Sequence, residues 1–180
     1  MSTPAASFAL PVASEWPTYI SRSVVIDAPR EKVWSVFTDF KAYPEWNPYW
    51  RECTLLDEHK RPLGAGTPVA AGHRLSLKLH IPPTMDDTVG THDMVEALSH
   101  VEAGAHLVWT VSWGFLLRSV RLHHFADVEG EAGAGRKTEV VVVSAIGGLA
   151  GRMMPKGMLA DLTMSIEAMN AALKKRCEAM

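Results

Sequence analysis

The chain has 180 residues, of which 47% are apolar and 21% are charged, so it is long enough for one substantial core and short for two domains. Lys and Arg number 18 against 20 Asp and Glu, and no basic run is longer than residues 174–176. This pattern disfavours nucleic-acid and anionic-membrane surfaces, which need a concentrated basic footprint. No apolar stretch reaches the ~20 residues of a membrane-spanning helix, so we expect no membrane insertion.

The first residues do not resemble a signal peptide, because no Lys or Arg precedes their short apolar piece. We expect residues 1–16 to be a mobile N-terminal tail before a single domain over residues 17–180. The chain has two cysteines, Cys53 and Cys177, which form no metal-ligand pattern. Their scarcity predicts a reduced, cytoplasmic protein.

The first elements are a strand and two short helices. Polar and β-branched residues alternate over residues 18–26, which predicts a strand. Pro29 then suits a helix start, and the helix presents Val33, Trp34 and Phe37 on one side. Two prolines bracket residues 43–48, where we expect a second helix too short to be stable alone.

The middle of the chain is a series of strands. We predict them over residues 50–56, 75–79, 94–101, 107–113, 120–128 and 138–146, the second with alternating leucines. The connections are too short for crossover helices, so neighbouring strands should pair antiparallel. The glycine-rich residues 129–137 are predicted as a hairpin loop, since no helix follows to form a phosphate cradle.

The last element is an amphipathic helix. From Pro155 onward apolar residues recur at helical spacing up to residue 177, and glycines at residues 147–151 form a joint before it. This helix is the long cover that the apolar face of the sheet requires.

Three short motifs carry a resemblance to a known family. Residues 25–34 read VIDAPREKVW, residues 38–40 read TDF and residues 43–48 read YPEWNP, with weaker similarity at Trp109 and Phe125. The chain resembles the START-like, or SRPBCC, superfamily, and its polyketide cyclase/dehydrase and lipid-transport branch in particular. The resemblance implies an α+β helix-grip fold: a seven-stranded antiparallel sheet curved around a long C-terminal helix, with two short helices between strands 1 and 2. It also implies a cavity between sheet and helix, and it leaves the chemistry open.

Strand alternation and the helix pattern give candidate residues for the cavity wall. Trp and Met suit an aromatic or polycyclic ligand, because indoles stack and thioethers adapt to irregular shapes. The alternative is that these side chains only fill a core. The candidate ligand-binding residues are Leu75, Leu77, Leu79, Met94, Leu98, Trp109, Val111, Trp113, Phe125, Met158 and Leu162.

Three polar residues are candidates for acid-base chemistry. Glu96 would have a raised pKa if it faces inward with Met94 and Leu98, but in the opposite register it is a surface charge. Of His123 and His124 only one can line the cavity, because adjacent strand residues point to opposite faces. Counting from Leu122 selects His124, whereas counting back from Phe125 selects His123, and a bulge would reconcile the two.

The sequence favours neither metal nor covalent chemistry. HExxH, paired CxxC and G-x-S-x-G motifs are absent, so we expect no metal, no cofactor and no acyl-enzyme. The leading hypothesis is a protein that binds a hydrophobic, aromatic or polyketide-like molecule, with a cyclase/dehydratase enzyme of natural-product biosynthesis as the alternative. A third hypothesis is an interaction module for a partner helix or peptide. The oligomeric state stays open.

Overall fold

The structure is a computed structural model that describes residues 11–64, 66–128 and 136–180. The first ten residues of the predicted mobile tail, and residues 129–135 of the predicted hairpin loop, lie outside the described residues. At the described end of the tail, Ala13–Glu15 form a 3-10 turn. The ring of Trp16 then lies 4.2 Å from the guanidinium carbon of Arg118.

Seven strands form one antiparallel sheet, as the sequence predicts. Its spatial order is β1-β7-β6-β5-β4-β3-β2, so every strand after β1 lies beside its neighbour in the chain and β7 returns to pair with β1. The strands are β1 (Thr18–Ile26), β2 (Trp50–Leu56), β3 (Arg74–Leu79), β4 (His92–Glu102), β5 (His106–Trp113), β6 (Leu117–Val128) and β7 (Lys137–Gly147).

The helices occupy the predicted places, with one addition. The helices α1 (Arg30–Thr38) and α2 (Tyr43–Trp46) lie between β1 and β2, and α4 (Lys156–Ala179) is the long C-terminal helix. The glycine joint that we expected before α4 contains a further short helix, α3 (Gly148–Arg152). The helix-grip architecture is therefore confirmed, and no helix among the described residues is both long and apolar enough to cross a membrane.

The main core lies between the inner face of the sheet and the helices. From α4 it receives Leu162, Ile166, Met169 and Leu173, all buried against the sheet. A smaller cluster of Val108, Leu122 and Val143 lies on the opposite, outer face. These two clusters identify the face on which each strand residue lies.

Pairing with β3 and β5 decides the register of β4 that the sequence left open, because Glu96 lies opposite Leu75 and Leu98 lies opposite Trp109. Pairing with β5 shifts between Leu98 and His100, so Leu98 lies opposite Trp109 on the inner face and His100 lies opposite Val108 on the outer face. Glu96, two residues before Leu98, is consequently buried on the inner face.

Candidate functional site

A group of buried polar side chains lies on the inner face of the sheet. Glu96 of β4 is 3% exposed, Arg121 of β6 is 6% exposed and His123 of β6 is fully buried. Tyr49, immediately before β2, is also fully buried, and its ring lies 5.4 Å from the guanidinium carbon of Arg121. We call Tyr49, Glu96, Arg121 and His123 the polar cluster.

Aromatic rings fix the position of His123. Its ring centroid lies 4.6 Å from that of Phe37, 4.8 Å from Trp109 and 5.8 Å from Trp50. Phe37 belongs to α1, whereas the two tryptophans belong to β5 and β2. Three separate elements therefore hold the imidazole in one orientation, which favours defined chemistry at its nitrogens.

Much of the hydrogen-bonding capacity of the polar cluster is unused. Within the described residues, both ring nitrogens of His123, Nε and Nη1 of Arg121 and Oε2 of Glu96 have no hydrogen-bond partner. Buried polar atoms in proteins are nearly always paired, and an unpaired one costs about 1–3 kcal/mol. The concentration of unpaired polar atoms on one inner surface makes the polar cluster a candidate site.

Burial and neighbouring charges shift these groups in opposite directions. Burial raises the pKa of the Glu96 carboxyl, and the positive charge of Arg121 only partly opposes it. Burial also lowers the pKa of His123 well below its usual range, and Arg121 lowers it further. The Glu96 carboxyl thus retains its proton more readily, and the His123 imidazole stays neutral. These states suit Glu96 to be an acid and His123 to be a base.

Arg121 remains a cation in this setting. Burial alone would lower its pKa, but the neighbouring Tyr49 and Glu96 more than offset this, so its pKa is raised. A fixed guanidinium with unpaired donors suits an oxyanion, enolate or carboxylate oxygen.

The described residues also form an open groove, and no residue of the polar cluster lines it. Its volume is about 590 Å³, and its walls come from α1 and the turn after it, from β2, from the loop between β2 and β3, and from Ala103 between β4 and β5. The wall includes the apolar side chains Trp34, Phe40 and Leu55. Among the described residues, none from α4 lines the groove, so it opens on the α1 side and not between the sheet and the C-terminal helix, where the resemblance places the cavity.

Cys53 connects the groove with the polar cluster. Its side chain lines the groove, and its pKa is raised well above the usual value by burial and, second, by the charge of Glu96. Cys53 and Cys177 are both buried and unpaired. The Glu96 carboxyl therefore interacts electrostatically with one wall residue of the groove.

A second cleft is less suited to a ligand. Its volume is about 470 Å³, and Arg51, Lys78 and His80 are among its lining residues. Arg51 is already paired with Asp87 at 2.9 Å, and Lys78 with Glu52. Alternation with Leu75, Leu77 and Leu79 predicts that His80 faces solvent, but its side chain is buried, with Nδ1 2.8 Å from the Thr84 carbonyl oxygen.

Most of the predicted ligand-binding residues are buried on the inner side. Met94 is half-buried and packs against the core. The fully or nearly fully buried ones are Leu75, Leu77, Leu79, Leu98, Trp109, Val111, Phe125 and Leu162. None of the predicted ligand-binding residues is among the described residues that line the groove.

Two predicted wall residues lie outside. Trp113 is 66% exposed and Met158 is 54% exposed, so the prediction that they face a cavity is wrong. Each lies near an end of its element, Trp113 at the last residue of β5 and Met158 in the first turn of α4, where the opposite layer no longer covers it.

The two adjacent histidines also separate. His123 lies opposite Leu107 of the main core, so the count from Phe125 is the correct one. His124 lies on the outer face, where its Nδ1 is 3.0 Å from Nδ1 of His106, and it cannot contact a ligand beside His123.

The sequence reasoning missed Arg121, Tyr49 and the groove. Arg121 precedes His123 by two residues and Phe125 by four, so the same alternation that selects His123 also places Arg121 inside. The groove combines distant segments and has no local sequence signal. In the described part of the chain, no three His, Cys, Asp or Glu side chains come together as metal ligands.

Comparisons with solved structures show the same fold at low identity. A START superfamily protein from Mycobacterium smegmatis is 18% identical, with a TM-score of 0.58 over 89% of this chain and 97% of that one. A protein from Thermus thermophilus is 14% identical, with a TM-score of 0.62 over 90% and 98% of the two chains. The Zhui aromatase/cyclase from a Streptomyces species is also 14% identical, with a TM-score of 0.59 over 89% and 93%.

The comparison with curated proteins gives no match. One family model, described as polyketide cyclase / dehydrase and lipid transport, matches residues 17–178, which is nearly the whole chain. The chain therefore belongs to the polyketide cyclase/dehydrase and lipid transport family.

Proposed function

We propose that this protein binds a hydrophobic small molecule, aromatic or polyketide-like, with its apolar body in the groove and a polar end at the polar cluster. The observation that carries the proposal is the convergence of unpaired buried donors and acceptors on Glu96, Arg121 and His123. Family membership supports it, since the family description joins cyclisation, dehydration and lipid transport.

The size and lining of the groove suit such a molecule. Ligand sites usually measure about 300–1,000 Å³ and combine an apolar wall with few polar groups. The groove measures about 590 Å³ and is lined by Trp34, Phe40 and Val69 beside the thiol of Cys53. The two free thiols are also consistent with the reducing compartment that the sequence predicts.

A substitution in α1 tests the groove directly. Ser35 is exposed and lines the groove, so Ser35→Trp should fill part of it, whereas Glu31→Trp places the same ring one turn earlier on the same helix, at an exposed residue that does not line the groove. We expect a polycyclic aromatic probe, followed by fluorescence titration, to bind wild type and Glu31→Trp equally and Ser35→Trp at least ten-fold more weakly. Organic extraction of the purified protein followed by mass spectrometry would identify a co-purified ligand. Equal binding by all three proteins would refute the assignment of the groove.

A specific observation favours a second candidate, a cyclase/dehydratase enzyme. His123 and Glu96 lie on the same inner surface, yet the pKa of His123 is lowered and that of Glu96 is raised. In an aldol cyclisation, neutral His123 would remove a proton from the carbon between two carbonyl groups, and Arg121 would stabilise the enolate oxygen. The carbanion carbon then forms a bond to a ketone carbon whose oxygen takes the Glu96 proton. The Glu96 carboxylate would then remove the remaining proton from the same carbon, and the hydroxyl would leave as water with the proton held by His123, which returns both residues to their starting states.

Neutral replacements separate binding from catalysis. With a synthetic poly-β-ketone thioester as substrate, an enzyme with His123→Gln should turn over about 10²–10⁴-fold more slowly at nearly unchanged affinity. A binding protein would show no turnover in either form and would change only in affinity. Product analysis by mass spectrometry distinguishes the two functions.

A further inference from the structure

Exposed apolar side chains concentrate at one end of the molecule. Of the thirteen exposed large apolar residues among the described ones, six come from the β5–β6 turn, α3 and the start of α4. Phe115 is 80% exposed and Met153 is 70% exposed. We call this group the apolar tip; its members are Trp113, Phe115, Leu116, Leu149, Met153 and Met158.

Hydrogen bonds hold the two segments of the apolar tip together. The backbone N–H of Leu149 donates to the Phe115 carbonyl at 3.1 Å, and that of Ala150 donates to the Leu116 carbonyl at 2.9 Å. Gly148 permits this contact, because a side chain there would begin 2.7 Å from the Phe115 carbonyl oxygen. The β5–β6 turn and α3 are therefore held in a fixed arrangement by backbone hydrogen bonds and are not two independent loops.

The charged residues within the two segments of the apolar tip are basic, while Asp161 lies one residue beyond the second segment and Glu15 is next to Trp16. Residues 113–118 and 148–160 contain Arg118, Arg152 and Lys156 but no Asp or Glu, in a chain with a net charge of -2. Arg118 lies against the ring of Trp16, which holds its charge beside the tip. Folding thus brings basic residues from two segments to the same end of the molecule. A search for runs of basic residues in the sequence does not find such a group, because its two segments are far apart in the chain.

We propose that the apolar tip docks this protein peripherally on an anionic phospholipid surface. Trp and Phe are favoured at the boundary between headgroups and acyl chains, and neighbouring Arg and Lys pair with anionic headgroups. Soluble proteins rarely expose contiguous apolar patches of this kind without a binding role. The exposure favours a membrane over a protein groove, because Phe115 in the β5–β6 turn is 80% exposed and the two segments of the tip contribute three cations.

Docking by the apolar tip would leave the groove open. Ala103, which lines the groove, and Phe115 lie beyond opposite ends of β5. The eight residues of that strand span about 26 Å at ~3.3 Å per residue. A docked protein can therefore keep the mouth of its ligand site away from the lipid surface.

Vesicle sedimentation tests this proposal. We expect the wild-type protein to bind vesicles of equal parts phosphatidylcholine and phosphatidylglycerol at low salt, and to bind pure phosphatidylcholine much more weakly. Phe115→Ser with Met153→Ser should weaken binding by about ten-fold or more per side chain. Arg152→Gln with Lys156→Gln should weaken binding to the anionic vesicles by about five-fold per charge and reduce the salt dependence.

The controls use exposed methionines elsewhere. Met164→Ser with Met180→Ser removes two exposed apolar side chains outside the tip and should leave vesicle binding unchanged. Aromatic-probe titration of the groove should be unaffected in every variant, which separates a failure here from a failure of the proposed function. The proposal is overturned if wild type does not bind the anionic vesicles, or if Phe115→Ser with Met153→Ser binds them as wild type does. It is also overturned if light scattering shows a dimer that this double variant dissociates, because the tip would then be a contact between two copies.

Discussion

Glu96→Gln should stabilise the protein increasingly as the pH rises. The native carboxyl is buried beside unpaired polar atoms, and its pKa is raised mainly by burial. Gln has nearly the same shape but stays neutral at every pH. The variant therefore keeps the packing of the protonated residue and removes the cost of burying its charge.

The sign and size of the effect follow from proton linkage. A raised native pKa means that the folded protein binds more protons than the unfolded chain above about pH 4.3. Wild type therefore loses stability relative to the variant as the pH rises from there through the native pKa. The difference in the free energy of unfolding should grow by at most about 1.4 kcal/mol per pH unit and then level off. The attraction of Arg121 is already part of the net shift, so it reduces the effect without reversing it.

Urea unfolding from pH 4 to pH 8 measures this difference. Glu52→Gln is the control, since Glu52 is an exposed carboxylate on β2 paired with Lys78 at 2.9 Å. An exposed ion pair contributes about 0–1 kcal/mol, so this control should stay within about 1 kcal/mol of wild type throughout. If Glu96→Gln runs parallel to wild type, or becomes relatively less stable as the pH rises, then Glu96 is not held in a charge-disfavouring site and the acid role fails with it.

Two further stability predictions concern His123 and the glycines. The pKa of His123 is lowered in the native state, so the free energy of unfolding of wild type should fall as the pH drops below about 6.5, by up to about 1.4 kcal/mol per pH unit. The free energy of unfolding of His123→Gln should fall less over the same range. Urea unfolding curves in which the two proteins change equally between pH 5 and pH 7 would contradict this. Gly148→Ala should lower the free energy of unfolding by about 1–3 kcal/mol, because φ is +74° and the new carbon would meet the Phe115 carbonyl. Gly157 has open space around it in the first turn of α4, so Gly157→Ala should raise the free energy of unfolding by up to about 1 kcal/mol. If thermal unfolding shows Gly148→Ala to be more stable than Gly157→Ala, both glycine predictions are contradicted.

The architecture could be predicted because its signals are local. Alternation gave the bounds of β1 and β2 as the structure has them, and β4 to β7 extend only a few residues beyond the prediction. Helical spacing of apolar residues gave α4 to within two residues at its C-terminal end. The short helix α3 was missed, since its glycines are poor helix formers and its position depends on contact with the β5–β6 turn.

The polar cluster was only partly predictable, because strand parity fails at irregularities. The bulge between Leu98 and His100 puts these residues on opposite faces two positions apart, and no residue type announces it. Phe125 gave the correct register for His123, and the same count would have found Arg121. Whether a position near a strand end is covered depends on where the opposite layer stops, which is why Trp113 was misplaced.

The polar cluster is costly to the fold, and this bears on its function. Unpaired buried polar atoms cost about 1–3 kcal/mol each, whereas a domain has only about 5–15 kcal/mol of net stability. Apolar residues of similar volume at Glu96, Arg121 and His123 would remove that cost, since the surrounding rings of Phe37 and Trp109 are already packed. Functional sites often lower the stability of the fold, because binding or proton transfer needs polar atoms that have no partner within the protein. The polar cluster fits this description, since its atoms are unpaired and the surrounding aromatic rings hold them in position. If Glu96→Gln is more stable than wild type and has also lost turnover or ligand binding, then Glu96 lowers the stability of the protein and is needed for its function.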